Sequence, residues 1–315
     1  MRKINFSLLP VIIILAVFIC TTGFSCDYND HEYFKDNSTL NTLHEKTFKT
    51  QSGKMIELNA SMADVNISSW NKNEVYIKVL GNSKAANKLD FYFNEENGNI
   101  TVNAEKKGVF SNWFSHGIHL RFEIKVPSKF NTESNTSGGD VTIIAVDGKT
   151  YIKTLGGDIA LQDITGDIYA STSGGDITGK YLKGVMVLKS SGGDIKTSNT
   201  TGDLSAKTSG GDITFSANNA KIDASTSGGD IIGSYKGENL GIDVHTSGGS
   251  ILLKLPENFN ASAKLSTSGG YIECDHFLAN VEKKSKSKII ADFNNGGPRL
   301  KVSTSGGDIS ILKNL

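Results

Sequence analysis

The sequence predicts an all-β protein, a single-stranded parallel β-helix (β-solenoid) with coils of about 18 residues. Two observations lead to this prediction: Gly-Gly-Asp recurs at one constant spacing from Asp140 to Asp230, and the residue after each Asp is β-branched and apolar. A coil of this length cannot bury its own apolar face. Neighbouring coils must therefore stack to form a core.

The Gly-Gly-Asp motif sets the register of the repeat. A residue that is always Val or Ile follows the Asp, which suits a buried strand position. Variants of the motif occur at Gly248-Gly249-Ser250 and Gly269-Gly270-Tyr271, and a complete copy returns at Gly306-Gly307-Asp308. The six aspartates in strict register are Asp140, Asp158, Asp176, Asp194, Asp212 and Asp230.

Each coil has a second corner and a column of hydroxyl groups. Glycines such as Gly166 and Gly184 lie about nine residues from the Gly-Gly pairs, so each coil consists of two short strands joined by two glycine turns. We expect the hydroxyl side chains to point inward and to hydrogen-bond one another as a ladder. They are Thr154, Thr172, Ser190, Thr208 and Thr226.

The composition narrows the classes of function. The chain has 315 residues, with Lys+Arg and Asp+Glu both at 33, so no global field would steer it to nucleic acid. Its only arginines are Arg2, Arg121 and Arg299, which argues against bidentate phosphate recognition as the main task. Three cysteines, two of them near the N-terminus, give no internal disulfide framework. No cofactor is predicted.

Residues 1–25 have the layout of a secretory signal peptide. Arg2 and Lys3 precede an apolar run from Leu8 to Ile19, which is shorter than the roughly 20 residues that span a bilayer. Cys26 follows, as in bacterial lipoproteins, and is the predicted lipid anchor. Cleavage near Ser25 without lipidation and an uncleaved anchor remain alternatives. All three place the rest of the chain outside the cytoplasm, anchored in the cell envelope in the first case.

The remainder of the chain divides into three parts. Residues 26–47 are polar and predict a flexible tether. Residues 48–135 alternate apolar and polar residues and predict irregular solenoid coils, with a short helical turn at Ser83–Lys88. Residues 136–315 contain the regular repeats and a lysine-rich insertion near 276–298.

These residues resemble a known family. The segments Val65-Asn66-Ile67-Ser68-Ser69-Trp70 and Phe122-Glu123-Ile124-Lys125-Val126-Pro127, followed by serial Thr-Ser-Gly-Gly-Asp-Ile, are similar to the bacterial putative-adhesin family. The resemblance covers about residues 50–315. It implies a parallel β-helix in an exported or membrane-attached protein, a domain of unknown function without catalytic residues.

The six aspartates are the sharpest candidates for chemistry. Carboxylates about 4.8 Å apart repel one another by roughly 1 kcal/mol per pair in water, so something must offset the repulsion. One hypothesis is that each Asp accepts hydrogen bonds from amides of the turn. The alternative is a calcium-stabilised β-roll in which these aspartates bind metal.

A carbohydrate-active β-helix enzyme is the other alternative. Such a site needs acids with Arg, Lys or His at non-repeating positions, and the array from 136 to 235 has no Arg or His. Beyond the array lie His245 and the pair Asp275-His276, and we expect these histidines to be exposed. The sequence therefore favours a protein that is not an enzyme.

One loop concentrates aromatic residues. Phe110, Trp113 and Phe114 form either a cap over the first coils or a patch that binds sugar or protein. The predicted function is a non-catalytic, envelope-anchored lipoprotein whose adhesin-like solenoid presents a surface for binding or structure. The expected partners are the membrane, through the N-terminal lipid, and a cell-envelope glycan or protein.

Overall fold

A computed structural model describes residues 40–108 and 117–314. The predicted signal peptide, Cys26 and the aromatic residues of the 110–114 loop lie outside this part of the chain. In the described residues there is one helix, α1 (Ser83–Lys88), at the predicted position, and Asn82 caps it by accepting a hydrogen bond from Ala85 N at 3.0 Å. The strands are β1 (Asn41–Lys49), β2 (Met55–Ala60), β3 (Asp64–Trp70), β4 (Glu74–Gly81), β5 (Leu89–Glu96), β6 (Asn99–Lys106), β7 (Leu120–Pro127), β8 (Asn131–Thr136), β9 (Val141–Ile144), β10 (Thr150–Lys153), β11 (Ile159–Ser171), β12 (Ile177–Lys189), β13 (Ile195–Lys207), β14 (Ile213–Ser225), β15 (Ile231–Lys236), β16 (Ile242–His245), β17 (Ile251–Leu255), β18 (Ala261–Thr267), β19 (Ile272–Cys274), β20 (Leu278–Lys284), β21 (Lys288–Phe293), β22 (Arg299–Thr304) and β23 (Ile309–Lys313).

The strands wind into a parallel solenoid with two broad faces. Face A contains, in spatial order, β6, β2, β8, β10, the C-terminal halves of β11–β14, β16, β22 and β18. Face B contains β7, β3, β9, the N-terminal halves of β11–β14, β15, β17, β23 and β19. Strands β11–β14 turn a corner and belong to both faces.

The register of the coils follows the repeat. Ile159 lies opposite Ile177, and Ile177 lies opposite Ile195, so each residue pairs with its counterpart one repeat further along the chain. These side chains are at most 1% exposed, so the β-branched residue after each Asp forms a continuous core column. The predicted β-solenoid, with one sequence repeat per coil, is confirmed. The second glycine corner is also present, since Gly184 has a φ of +129° and a Cβ there would lie 2.2 Å from Gly166 O.

The buried hydroxyl column differs from the prediction. Its side chains bond to backbone atoms of the turns, and not to one another. Thr172 Oγ1 donates to Gly157 O in the preceding coil at 2.9 Å and accepts from Gly175 N in its own turn at 3.2 Å. Ser190 makes the same two contacts one coil further on. The predicted hydroxyl ladder is wrong for these positions because the nearby turn carries backbone groups that also need partners.

The N-terminal end departs from the repeat. The coil β2/β3 lies between β8/β9 and the later coil β6/β7, so spatial order and chain order differ. Antiparallel strands then close both faces: β5 pairs with β6, β4 with β7 and β1 with β4. The predicted flexible tether is wrong for residues 41–47, which belong to β1. This strand has little buried surface, and backbone pairing with β4 is what orders it.

The C-terminal end has the same kind of arrangement. The last coil, β22/β23, lies between β16/β17 and the earlier coil β18/β19. The lysine-rich segment near 276–298 forms the antiparallel strands β20 and β21, which extend face A beyond β18. The inward side chains of β21, Ile289, Ala291 and Phe293, are buried and cover that end of the core.

Candidate functional site

The Gly-Gly-Asp aspartates form a hydrogen-bonded row along one corner of the solenoid. Asp140 Oδ1 accepts from Asp158 N at 2.8 Å, and the same contact repeats coil by coil as far as Asp230, at 2.7–2.9 Å. Each carboxylate therefore pairs with a turn amide of the next coil. The turn-capping hypothesis for these aspartates is confirmed, and the amide donors offset the repulsion between them.

The row extends further than the motif predicted. Asp140 N donates to Asp64 Oδ1 at 3.2 Å, so the degenerate turn Ser61-Met62-Ala63-Asp64 begins the row. At the other end Asp308 N donates to Ser250 Oγ at 3.2 Å, and Asp308 Oδ1 accepts from Tyr271 N at 2.9 Å. The signal for Asp64 was present in the sequence, because Ala-Ser-Met-Ala-Asp-Val aligns with Thr-Ser-Gly-Gly-Asp-Val.

The surroundings of Asp194 favour the charged form of its carboxylate. The hydrogen bond from the Asp212 amide, together with the Lys196 ammonium 3.1 Å from Oδ2, lowers the pKa of the Asp194 carboxyl. Within residues 40–108 and 117–314 no group of three or more His, Cys, Asp or Glu could hold a metal ion. Chemically, these aspartates act as caps for the corner.

In the pair Asp275-His276 the aspartate is exposed and the histidine is buried in the end of the core. His276 is only 4% exposed, its ring stacks on Phe293 with 5.2 Å between centroids, and its Nε2 lies 2.9 Å from Pro256 O. The expectation of an exposed histidine is wrong here because the ring packs into the end of the core, whereas His245 is exposed as expected. Burial also raises the pKa of the nearby Cys274 thiol, so this thiol is not an activated nucleophile.

A shallow groove crosses face A near the N-terminal end of the solenoid. It has a volume of about 460 Å³ and runs over β6, β2, β8 and β10 beside the Gly-Gly corner. Its floor is an amide ladder: Asn135 Nδ2 donates to Asn59 Oδ1 at 3.0 Å, and Asn59 Nδ2 donates to Asn103 Oδ1 at 3.1 Å. Glu105 lines the end of the groove at β6, which is the outermost strand of face A in the N-terminal coils. Lys153 and Leu155 line the opposite, inner end, at β10.

Two carboxylates flank the amide ladder. Glu57 and Glu133 lie opposite each other on β2 and β8, an arrangement of like charges that destabilises a sheet. Glu57 accepts from Asn59 Nδ2 at 2.8 Å, and Glu133 accepts from Asn135 Nδ2 at 3.2 Å. The floor and its flank thus form one hydrogen-bonded amide–carboxylate network, which we name the groove network: Glu57, Asn59, Asn103, Glu133 and Asn135.

The corner beside the groove departs from the repeat. Leu155 takes the place of the serine that precedes Gly-Gly in other coils, and its side chain is 61% exposed. Met62 takes the place of the first glycine and is 40% exposed. Departures from a local rule tend to concentrate at functional sites. These two apolar side chains beside a polar floor therefore mark the groove as the candidate binding surface.

A pair of aromatic rings continues face A beyond the groove. Tyr151 and Tyr169 stack with 4.9 Å between centroids and 12° between planes. Lys153 Nζ lies 5.1 Å from the Tyr151 centroid, and Lys189 Nζ lies 5.6 Å from that of Tyr169. These contacts give the face a mixed aromatic and cationic character next to the amide ladder.

The residues that the sequence singled out and those that form the groove are different. Cys26, Phe110, Trp113 and Phe114 lie outside the described residues, and their predicted roles stay predictions. The groove was missed because its residues come from four coils that are distant in sequence. A usable signal existed in Leu155, which interrupts an otherwise regular column of serines.

The fold and the corner contacts define a class of protein, the repeat-built parallel β-solenoid with a hydrogen-bonded Asp corner. Within that class the chain belongs to the Toastrack DUF4097 family, whose model matches residues 54–312. This confirms the resemblance seen in the Thr-Ser-Gly-Gly-Asp-Ile series. The described residues contain no helix long and apolar enough to cross a membrane.

Several solved structures are similar at low identity. A "putative adhesin" from Bacteroides fragilis is 13% identical, with 86% of this chain and 96% of that chain covered and a TM-score of 0.39. A "putative adhesin" from Parabacteroides merdae is 13% identical, with coverage of 89% and 98% and a TM-score of 0.28. A "putative cell adhesion protein" from Clostridium sporogenes is 10% identical, with coverage of 87% and 100% and a TM-score of 0.22. No curated protein matches the sequence.

Proposed function

We propose that this chain is a non-catalytic, adhesin-like lipoprotein of the bacterial cell envelope. Its solenoid is a rigid support, and face A carries the surface that binds a partner. The observation behind this proposal is the groove, where departures from the repeat bring a polar network and exposed apolar side chains together. A surface built by breaking the repeat is better explained by binding than by the needs of the fold.

The tether supports a partner within the envelope. Cys26 is 15 residues before Asn41, the first residue of β1, and a fully extended chain of that length spans at most about 50 Å. The groove lies in the coils at the N-terminal end of the solenoid, where β1 also lies. A lipid on Cys26 would therefore keep the start of β1 within this distance of its anchor point, which supports a partner in the envelope.

The geometry favours binding over catalysis. Enzymes that act on polysaccharides need an accessible acid and base on either side of the bond that breaks. His276 is instead buried against Phe293, and Glu57 and Glu133 are both engaged by asparagine amides. Turnover of a polysaccharide that is lost on mutation of Asp275 or His276 would revive the enzyme alternative.

Cys26 and Cys274 offer a matched test of anchoring. We expect the mature protein to begin at a lipid-modified Cys26, detected by mass spectrometry, and to fractionate with membranes. Cys26→Ser should abolish the lipid modification, whereas Cys274→Ser, in the solenoid itself, should leave both the modification and the membrane association unchanged. A soluble wild-type protein with an unmodified N-terminus would contradict the lipoprotein proposal.

Binding is tested separately from anchoring. The full mature chain without lipid, produced as the Cys26→Ser variant, should be retained by isolated cell-envelope material and eluted by competing envelope fragments. Absence of retention by glycan, protein and lipid fractions alike would overturn the adhesin-like function.

A further inference from the structure

We infer that the groove on face A binds an uncharged, hydroxyl-rich glycan chain lying along the solenoid axis. The inference rests on the proposed binding function and names the ligand class of the same surface. It follows from three properties of the groove: the hydrogen-bonding capacity of its floor, the balance of charge around it, and the apolar groups at its inner rim.

The floor offers paired donors and acceptors in a line. Asn59 uses both amide protons, to Glu57 and Asn103, and its Oδ1 accepts from Asn135. At the ends of the ladder, Asn103 Nδ2 and Asn135 Oδ1 have no partner within the described part of the chain. The ladder thus has a free donor at one end and a free acceptor at the other, with carboxylates beside them. Hydroxyl groups, which both donate and accept hydrogen bonds, complement this arrangement.

The spacing of the floor favours a polymer. Asn103, Asn59 and Asn135 occupy equivalent positions on three adjacent strands, so the amides repeat at about 4.8 Å along the axis. A chain of sugars laid along the groove would reach both the free donor of Asn103 and the free acceptor of Asn135, which lie on opposite sides of the central strand β2. A short compact ligand would use only one coil of this array.

The charges at the groove disfavour an acidic ligand. Among the lining residues Glu105 carries a carboxylate and Lys153 an ammonium group, and two further carboxylates, on Glu57 and Glu133, lie beside the floor. An anionic chain would meet like charge at the Glu105 end and beside the amide floor, and like-charge contacts are an effective means of rejecting a partner. Hydroxyl groups can donate to the same carboxylates at no such cost.

The inner rim supplies apolar contact. Leu155 lines the groove beside Lys153 and is 61% exposed, whereas Met62, 40% exposed, lies just outside the groove next to Ser61. The C–H faces of a pyranose ring pack on apolar and aromatic side chains of this kind. Regular coils have serine and glycine at these two positions and therefore lack the rim.

Steric closure of the groove gives a matched test. Ser137 and Ser209 occupy the same position in the repeat and are both exposed, but only Ser137 lines the groove. We would titrate the full mature chain with cellohexaose, chitohexaose and oligogalacturonate by calorimetry. We expect binding of at least one uncharged hexaose, weakened at least tenfold by Ser137→Trp and by Asn135→Ala, and unchanged by Ser209→Trp.

The outcomes separate this inference from the proposed function. No binding of either uncharged hexaose, or equal loss in Ser137→Trp and Ser209→Trp, would overturn the glycan inference. Preference for oligogalacturonate would overturn the uncharged class. If Ser137→Trp still binds envelope material like the wild type, the adhesin-like function stands and the groove is not its site. Circular dichroism of each variant confirms that it is folded.

Discussion

Strand pairing differs between the regular coils, from residue 137 to residue 250, and the two ends of the solenoid. In the regular coils every strand pairs in parallel with the equivalent strand of the next coil, and each corner repeats one set of contacts. At the ends, antiparallel strands replace further coils. The repeat thus builds length, and departures from it stop the stack and shape the candidate site.

Both ends also interlock the chain. The first coil, β2/β3, is enclosed between two later coils, and the last coil, β22/β23, is enclosed between two earlier ones. Neither chain-terminal coil can leave the stack before the outer coil beside it is displaced. This order opposes fraying, which otherwise begins at the ends of a solenoid because terminal repeats have one neighbour only.

Strand β20 forms the edge of face A at the C-terminal end of the solenoid, and its sequence opposes pairing with another sheet. Its pairing with β21 is interrupted by a bulge between Ala279 and Lys283, and Lys283 and Lys284 follow it. Bulges and lysines on an edge strand oppose pairing with another sheet. The structure therefore limits end-to-end growth of the solenoid at this end.

The largest effect is expected in the corner of the regular coils. A Cβ on Gly193 would lie 2.1 Å from the backbone oxygen of Gly175, whereas a Cβ on Gly192 would lie no closer than 3.6 Å to any neighbour. Gly193→Ala should reduce the free energy of unfolding by more than about 4 kcal/mol or prevent folding. Gly192→Ala should change it by less than about 1 kcal/mol.

Denaturant unfolding of the two variants measures the difference. The pair are adjacent residues of one turn, so equal effects would show that the corner can shift to accommodate a side chain. That result would mean that the close approach of neighbouring coils does not require glycine at the second position of the Gly-Gly pair. Met62 and Ala63 occupy the two glycine positions of the degenerate turn at the N-terminal end, so the test applies to turns within the regular array.

A core substitution tests the C-terminal end. Phe293 is fully buried between the end of the core and His276. Phe293→Ala should reduce the free energy of unfolding by about 3–4 kcal/mol, since it leaves a cavity in the structure that closes the stack. Phe277→Ala, at a side chain 70% exposed, is the control and should cost less than about 0.5 kcal/mol. A small effect of Phe293→Ala would show that the antiparallel strands are dispensable for closure.

An intermediate effect is expected for the buried hydroxyl column. Thr172→Val keeps the shape of the side chain and removes both of its hydrogen bonds to the turns, so it should destabilise by about 1–3 kcal/mol. Thr172→Ser should be milder, because Ser190 makes the same two contacts. Thermal or denaturant unfolding should show that the Thr172→Val variant is less stable than the Thr172→Ser variant. The reverse order would show that the methyl group, and not the hydroxyl, is what the position requires.

The regular coils could be predicted from the sequence almost completely, and the ends could not. The constant spacing of Gly-Gly-Asp specifies which residues stack, because the contacts repeat locally along the chain. The left-handed backbone conformation of Tyr181, with a φ of +55°, could not be predicted from the sequence, since neighbouring coils override the preference for glycine there. The enclosed order of the end coils and the groove depend on long-range contacts, for which a periodic pattern carries no information.

The smallest expected effect concerns pH and the aspartate row. Because hydrogen bonding from the Asp212 amide and the charge of Lys196 lower the pKa of Asp194 in the folded state, this carboxylate stabilises the fold above its unfolded pKa of about 3.9. The contribution is lost as the pH falls through the lower, folded value. Asp194→Asn should therefore cost stability at pH 7, by less than about 1 kcal/mol since the group is partly exposed, and the difference from wild type should shrink below pH 4. Urea unfolding of both proteins at pH 7 and pH 3 measures it. A difference that stayed constant across this range would show that the charge of Asp194 contributes nothing to stability.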